Sequence, residues 1–226
     1  MFPGGKTKAM TFSYDDGVGQ DRRLVALLNR YGLKGTFNLN SGLQDASNHW
    51  VRNGVEIRRM DIEVLPDLYR SHEIACHALT HPRLETLEKE AIEREILLDR
   101  ENISRLFGRP VRGFAYPYGT YGDTVVDVLA ENGFGYARTT QRSGDFEMQN
   151  DLLRFKPTCR HADAGLMDLA QKFAALQTDE PKVFYVWGHS YEFDLDRNWD
   201  AFERFCAFIA GRDDIFYGTN AEVLLG

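Results

Sequence analysis

The chain has 226 residues, of which 43% are hydrophobic and 12% aromatic. This composition is typical of a folded globular protein and argues against a disordered chain. Its 34 acidic and 27 basic residues give a formal net charge of −7, which argues against non-specific binding to nucleic acid or to anionic membranes. No apolar run reaches the roughly eighteen residues of a membrane-spanning helix, so we expect no membrane span.

Strand-like segments alternate with helical patterns from the start of the chain. A strand over residues 9–14 precedes a helix over residues 21–31, in which Leu24, Leu27 and Leu28 share one face. The first half continues with a strand over 35–39, a helix over 61–70, a strand over 73–76 and a long helix over 87–107. Between these elements, residues 41–55 are predicted to form a long polar loop that either covers a functional site or makes an oligomer contact.

The same alternation runs through the second half of the chain. Strands are predicted over 112–116, 134–138, 153–156, 183–187 and 215–217, and helices over 122–131, 165–176 and 199–210. Seven or eight such units predict an α/β fold for residues 1–226 as a single domain. We expect a distorted or incomplete (β/α) barrel with about seven parallel strands, and a doubly wound open sheet is the alternative.

Cysteine usage and the N-terminal segment bear on the compartment. Cys76, Cys159 and Cys206 are widely spaced and include no CxxC pair, so we expect reduced, structural cysteines. Residues 1–6 lack the apolar core of a secretory signal. Both features lead us to expect a cytoplasmic protein.

Two adjacent carboxylates, Asp15 and Asp16, follow the first predicted strand and precede Gly17. Neighbouring carboxylates repel one another unless a cation or a proton compensates them. A simple Asp-Asp-Gly turn is an alternative interpretation, since these residues favour turns. The pair therefore needs support from elsewhere in the chain.

Two histidines four residues apart, His77 and His81, follow the third predicted strand. Pro82 makes a continuing helix unfavourable, so we expect a tight turn that brings both imidazoles to one side. Two histidines and one aspartate, with positions left open for water and substrate, are typical of a catalytic zinc site. Together the two motifs predict a metal site at the carboxyl ends of the strands.

Two further segments lie at the ends of predicted strands and carry a reactive side chain or a rigid turn. His189 follows an apolar strand, where it can serve as a positioned acid or base or as a buried structural histidine. Glu192 and Asp194 beyond it are expected to lie in a solvated acidic loop, and an alternative is that they orient His189 or contact the substrate. The turn from Tyr116 to Gly119 can hold a backbone N–H toward an oxyanion, or can simply pack aromatic rings.

The order of these motifs resembles the polysaccharide deacetylase family, the NodB-homology or carbohydrate esterase 4 group. The resemblance rests on residues 11–17, the pair His77 and His81, the segment 116–119 and His189, and so spans most of the chain. It implies that Asp15 is the general base, that Asp16, His77 and His81 bind one divalent ion, and that His189 is the general acid. It further implies that Tyr118 offers its backbone N–H to the oxyanion. Zinc is the first choice of metal, and cobalt and nickel suit the same ligands.

One departure from the family concerns the partner of the base. The family commonly carries an arginine two residues before the proline of the 116–119 motif, but here that position is Ala115. Arg138, at the end of the fifth predicted strand, can take over this role, and a surface ion pair is the alternative for it. We also count Arg138 with Tyr116 and Pro117 as candidate substrate contacts.

The expected activity is hydrolysis of N-acetyl or O-acetyl groups on an amino sugar or polysaccharide. Because Ala115 replaces the arginine, an amidohydrolase acting on a small non-sugar amide is an alternative. A third possibility is an inactive module that keeps the metal and binds a glycan. The expected partner is accordingly an acetylated carbohydrate or a small amide, and not nucleic acid.

Overall fold

A curled sheet of parallel strands forms the centre of the protein in the computed structural model, which describes residues 1–226. The strands of the protein, of which β3 and β4 form a separate pair, are β1 (Lys8–Asp15), β2 (Gly35–Leu39), β3 (His49–Arg52), β4 (Val55–Arg58), β5 (Glu73–Cys76), β6 (Gly113–Ala115), β7 (Tyr136–Arg138), β8 (Cys159–Arg160), β9 (Lys182–Gly188) and β10 (Ile215–Tyr217). The helices are α1 (Asp21–Arg30), α2 (Leu65–Leu68), α3 (Lys89–Phe107), α4 (Asp123–Glu131), α5 (Leu166–Ala175), α6 (Glu192–Leu195), α7 (Trp199–Ile209) and α8 (Asn220–Leu224). None of these helices combines the length and the hydropathy needed to cross a membrane.

Seven strands of the sheet follow the order β7-β6-β5-β2-β1-β9-β8, and β10 pairs with the first residues of β1. All of these pairings are parallel. β7 and β8 are the two ends of this order. At one end, Phe155 forms a one-residue bridge with Arg138 of β7, and at the other, β8 pairs with β9. The prediction of an incomplete (β/α) barrel with about seven parallel strands is therefore confirmed.

The central strand β1 is buried along all eight of its residues, as expected for a parallel strand covered on both faces. In α1, the predicted apolar face is buried through Leu24, Leu27 and Leu28, while Arg22 and Arg23 are exposed. The three cysteines are buried and form no disulfide, as the sequence predicts. This packing fixes the strand ends from which the loops project.

Three predicted segments take a different form in the structure, and β8, α6 and α8 were not predicted. The segment taken as a polar loop contains the antiparallel hairpin β3–β4, which turns through Asn53 and Gly54 at φ 49° and 79°, and an Asn-Gly pair favours such a turn. The helix predicted over 61–70 is only a 3₁₀ turn followed by the short α2. The strand predicted over 153–156 is a 3₁₀ turn over Leu152–Arg154, because pairing with β7 is limited to a single residue.

Candidate active site

The predicted site residues meet at the carboxyl ends of β1, β5 and β9, around a cavity of about 360 Å³. Seven of them line this cavity: Asp15, Asp16, His77, His81, Tyr116, Tyr118 and His189. Pro117 and Arg138 do not line it. A volume of this size lies at the lower end of the range for small-molecule sites.

Asp16, His77 and His81 converge on one point. One potential ligand atom from each lies within 4.8 Å of the others. Asp16 and His81 reach this position with left-handed backbone angles, φ 86° and 57°, which cost energy in residues other than glycine and often mark functional sites. The predicted turn after β5 therefore does bring both imidazoles to the same side as Asp16.

The two imidazoles are suited to binding a cation. His77 donates a hydrogen bond from Nδ1 to the carbonyl oxygen of Ala115 over 2.8 Å, which leaves the Nε2 lone pair free toward the cavity. Burial lowers the pKa of His77, and burial with the nearby His77 lowers the pKa of His81 to about 4. Both rings are thus neutral near pH 7, as metal ligation requires.

Asp16 is ionised, and one of its two carboxylate oxygens is free to bind a ligand. Burial alone would raise its pKa, but Arg59, with Nη2 3.0 Å from Asp16 Oδ1, brings the pKa of Asp16 below its usual value. Arg59 and Gln44 also donate to the backbone carbonyl of Asp16. The other carboxylate oxygen, Oδ2, faces His189 Nε2 at 3.9 Å. Two neutral imidazoles and one carboxylate oxygen fit a divalent ion such as zinc. Sequence motifs gave no role to Arg59, which follows the unpredicted hairpin.

Asp15 lies beside this cluster and is held by two donors. Nη2 of Arg138 is 2.6 Å from each carboxylate oxygen, and Asn38 Nδ2 donates to Oδ1 over 2.7 Å. Burial would raise the pKa of Asp15, but Arg138, His77 and His189 together hold it well below its ordinary value. Arg138 itself is 1% exposed, so the alternative of a surface ion pair is wrong. Its guanidinium instead forms a buried ion pair with Asp15.

His189 faces both aspartates from the end of β9. Its Nε2 lies 3.8 Å from Asp15 Oδ2, and its Nδ1 lies 3.2 Å from Glu192 Oε1. Burial lowers the pKa of His189 even though Asp16 and Asp15 oppose that shift. The expectation of a solvated acidic loop is wrong for Glu192, which is buried and also pairs with Arg160. Asp194 accepts a hydrogen bond from the indole of Trp199.

The turn after β6 borders the other side of the cavity. Tyr118 adopts φ 59° and is 54% exposed, with its ring 4.6 Å from the His81 ring. Tyr116 is almost fully buried, and its hydroxyl donates to the carbonyl of Leu153 over 2.7 Å. Pro117 is also buried. Of the residues in this turn, Tyr118 has the side chain most open to a ligand.

A comparison with curated sequences finds one short match. The chain is 26% identical over 125 residues to the uncharacterized protein YlxY of Bacillus subtilis (strain 168). The match covers 55% of this chain and 35% of YlxY. The chain thus aligns with about a third of the length of this relative.

Solved structures with the same fold include a family 4 carbohydrate esterase from Streptomyces lividans in complex with acetate, at TM-score 0.60 and 20% identity over 94% of this chain and 93% of that one. A Mycobacterium smegmatis protein assigned as a polysaccharide deacetylase superposes at TM-score 0.66 and 17% identity, over 100% and 91% of the two chains. A carbohydrate esterase 4 pseudoenzyme from Bacillus anthracis superposes at TM-score 0.57 and 16% identity, over 96% and 66%. At these identities the likeness establishes the fold, which active and inactive proteins share.

The family model described as Polysaccharide deacetylase matches residues 3–137. This range includes Asp15, Asp16, His77, His81 and the turn after β6. The chain belongs to the polysaccharide deacetylase family.

Proposed function

We propose that this protein is a metal-dependent hydrolase that removes N-acetyl or O-acetyl groups from an amino sugar or polysaccharide. The observation that carries the proposal is the convergence of Asp16, His77 and His81 within 4.8 Å, next to a second, ionised carboxylate. A binding site alone has no need for Asp15 and His189 facing the same point from two strands. Acetyl hydrolysis requires such an opposed base and acid.

The ion would be held by Asp16, His77 and His81, with zinc as the first choice and cobalt or nickel compatible with the same donors. When bound, a divalent ion at this position supplies Lewis-acid activation of water and of the acyl oxygen. Arg59 keeps Asp16 ionised, and the Ala115 carbonyl fixes the tautomer of His77. These contacts are the chain's own contribution to a pre-arranged site.

Asp15 is the general base in this proposal. Its carboxylate is kept ionised and fixed in position by Arg138 and Asn38, so it can accept a proton from water attacking the acyl carbon. His189 is the general acid: because its lowered pKa leaves the ring neutral near pH 7, it first takes up a proton at Nε2 and then delivers that proton to the leaving amine, a step worth roughly 10²–10⁴ in rate. Glu192 orients the ring through Nδ1. The backbone N–H of Tyr118 stabilises the oxyanion.

Two other functions compete with this one. A small non-sugar amide is considered because the family arginine is absent at Ala115, and the contact between Arg138 and Asp15 weighs against this alternative. An inactive glycan-binding module has support from the pseudoenzyme that shares the fold. Catalytic turnover separates these possibilities.

The deciding experiment measures acetate release from a panel of acetylated saccharides, with and without a chelator, alongside the metal content of each variant. We expect chelator-sensitive acetate release. Asp15→Asn should keep the metal and lose at least about 10²-fold in turnover, as expected for loss of a general base. His81→Ala should lose both metal and turnover.

Specific results would contradict the assignments. Loss of metal from Asp15→Asn would mean that the roles of the two aspartates are reversed. Unchanged metal content in His81→Ala would refute its role as a ligand. A metal-loaded protein that binds these saccharides and releases no acetate would be a binding module instead.

A further inference from the structure

The charged side chains in and beneath the cavity are paired, with one exception. Three ion pairs connect Asp15 with Arg138, Asp16 with Arg59, and Glu192 with Arg160. Arg52 also lines the cavity, yet its guanidinium makes no ion pair within 4.0 Å and no hydrogen bond. It is therefore an unpaired, solvent-exposed cation on the lining of the cavity.

The hairpin β3–β4 places Arg52 there. Alternate residues of a strand share a face, so Trp50 and Arg52 point to one side of β3 and Val51 to the other. Trp50 contacts the Tyr191 ring edge-on at 6.0 Å and lies 5.8 Å from the Arg59 guanidinium. Val51, on the opposite face, is 67% exposed. The face that carries Arg52 is thus the face turned toward the barrel.

Arg52 is a cation of the cavity that is open to an anion. Asp15 and Asp16 are each paired with their own arginine, Arg138 and Arg59, so neither is the ion-pair partner of Arg52. At Tyr191, burial raises the pKa to about 12, Asp16 acts in the same direction, and Arg52 opposes them. An unpaired guanidinium on the cavity lining can attract a negatively charged group of a ligand even in a chain of net charge −7.

We propose that Arg52 binds an anionic group on the saccharide, a carboxylate or a phosphate ester, so that the preferred substrate is an acidic acetylated sugar. Guanidinium forms paired hydrogen bonds with either group. Arg52 lines the same cavity as the cluster of Asp16, His77 and His81, so the anion and the acetyl group would belong to the same or adjacent sugar rings. This inference rests on the proposed function for the identity of the ligand as an acetylated sugar.

Binding measurements test the inference independently of catalytic turnover. The probes are tri-N-acetylglucosamine, the same trisaccharide oxidised to carboxylates at C6, and its 6-phosphate derivative, each titrated calorimetrically into the full-length, zinc-loaded Asp15→Asn protein. We expect at least one acidic probe to bind about tenfold more tightly than the neutral one, a typical contribution of one charge-assisted contact. Whichever acidic probe gains affinity identifies the anion.

Substitutions test whether the tighter binding of acidic probes depends on Arg52. Arg52→Gln should abolish it, Arg52→Lys should keep part of it, and Arg94→Gln, an exposed arginine on α3 far along the chain, should leave it unchanged. Equal binding of all three probes, or a preference that survives Arg52→Gln, would overturn the inference.

Acetate release from the same probes separates this inference from the proposed function. In the otherwise wild-type chain, Arg52→Gln should raise KM for the acidic probe about tenfold and leave the neutral probe within about twofold, since only the charged contact is lost. A binding preference that depends on Arg52 but is accompanied by no acetate release would support the anion site and refute the deacetylase proposal.

Discussion

Burial of the Asp15 carboxylate on its own would raise its pKa and favour the neutral acid, which cannot accept a proton. Arg138 reverses this effect by contacting both carboxylate oxygens at 2.6 Å. Because the pKa of Asp15 in the folded protein lies below its ordinary value, the ion pair contributes stability above about pH 4 that is lost on acidification. The same contact thus supports both the fold and the ionised state of the Asp15 carboxylate.

Removal of one partner from this buried pair should be costly. Arg138→Gln leaves an unpaired buried carboxylate, so we expect a loss of about 3–5 kcal/mol in the free energy of unfolding. The double variant Asp15→Asn/Arg138→Gln removes the stranded charge and should be more stable than Arg138→Gln alone. Denaturant unfolding of the four proteins in this cycle measures both differences. Equal stability of Arg138→Gln and the wild-type protein would show that the pair is not formed.

At the level of elements, the hairpin β3–β4 stands apart from the barrel as a two-stranded sheet. It brings Arg52 to the cavity and precedes Arg59, which pairs with Asp16. Its turn depends on left-handed backbone angles at Asn53 and Gly54. The sequence offered this turn as an Asn-Gly pair between alternating residues, but the polar composition of the segment led to the prediction of a loop.

Gly54→Ala should loosen the hairpin selectively. An added Cβ at Gly54 would meet no atom within 4 Å, so the effect comes from backbone strain alone, about 1–2 kcal/mol at positive φ. We expect faster amide hydrogen exchange in β3 and β4, and unchanged protection in β1 and β9. Asn53→Gly, which tolerates the same angles, is the matched control and should exchange like the wild-type protein. Unchanged exchange in Gly54→Ala would show that the turn does not hold the hairpin.

Across the whole molecule, the regular alternation of strands and helices was sufficient to predict the barrel, because burial on both faces of parallel strands leaves apolar runs such as Val183 to Trp187 in β9. The convergence of Asp16, His77 and His81 was also predictable, since each motif directly follows a strand and parallel strands end at one edge of the sheet. Predicting that these side chains meet required only that the strands be parallel members of one sheet.

The partners of the aspartates were harder to predict. Arg138 and Arg59 reach Asp15 and Asp16 from positions 123 and 43 residues away in the chain. Neither belongs to a motif with characteristic spacing, so the sequence offered Arg138 only as one alternative and gave no role to Arg59, and the ion pairs are seen only in the structure. Glu192 was predicted to be solvated because the acidic residues near it are typical of an exposed loop. Its contacts with Arg160 and His189 are seen only in the structure.

The most direct test of the metal site is an anomalous diffraction map from crystals of the full-length protein grown with zinc. We predict one strong peak at the carboxyl end of β1 and β5, about 2.0–2.2 Å from an oxygen of Asp16 and from one ring nitrogen each of His77 and His81. A peak elsewhere, or a zinc ion that any of these three side chains fails to contact, would contradict the account.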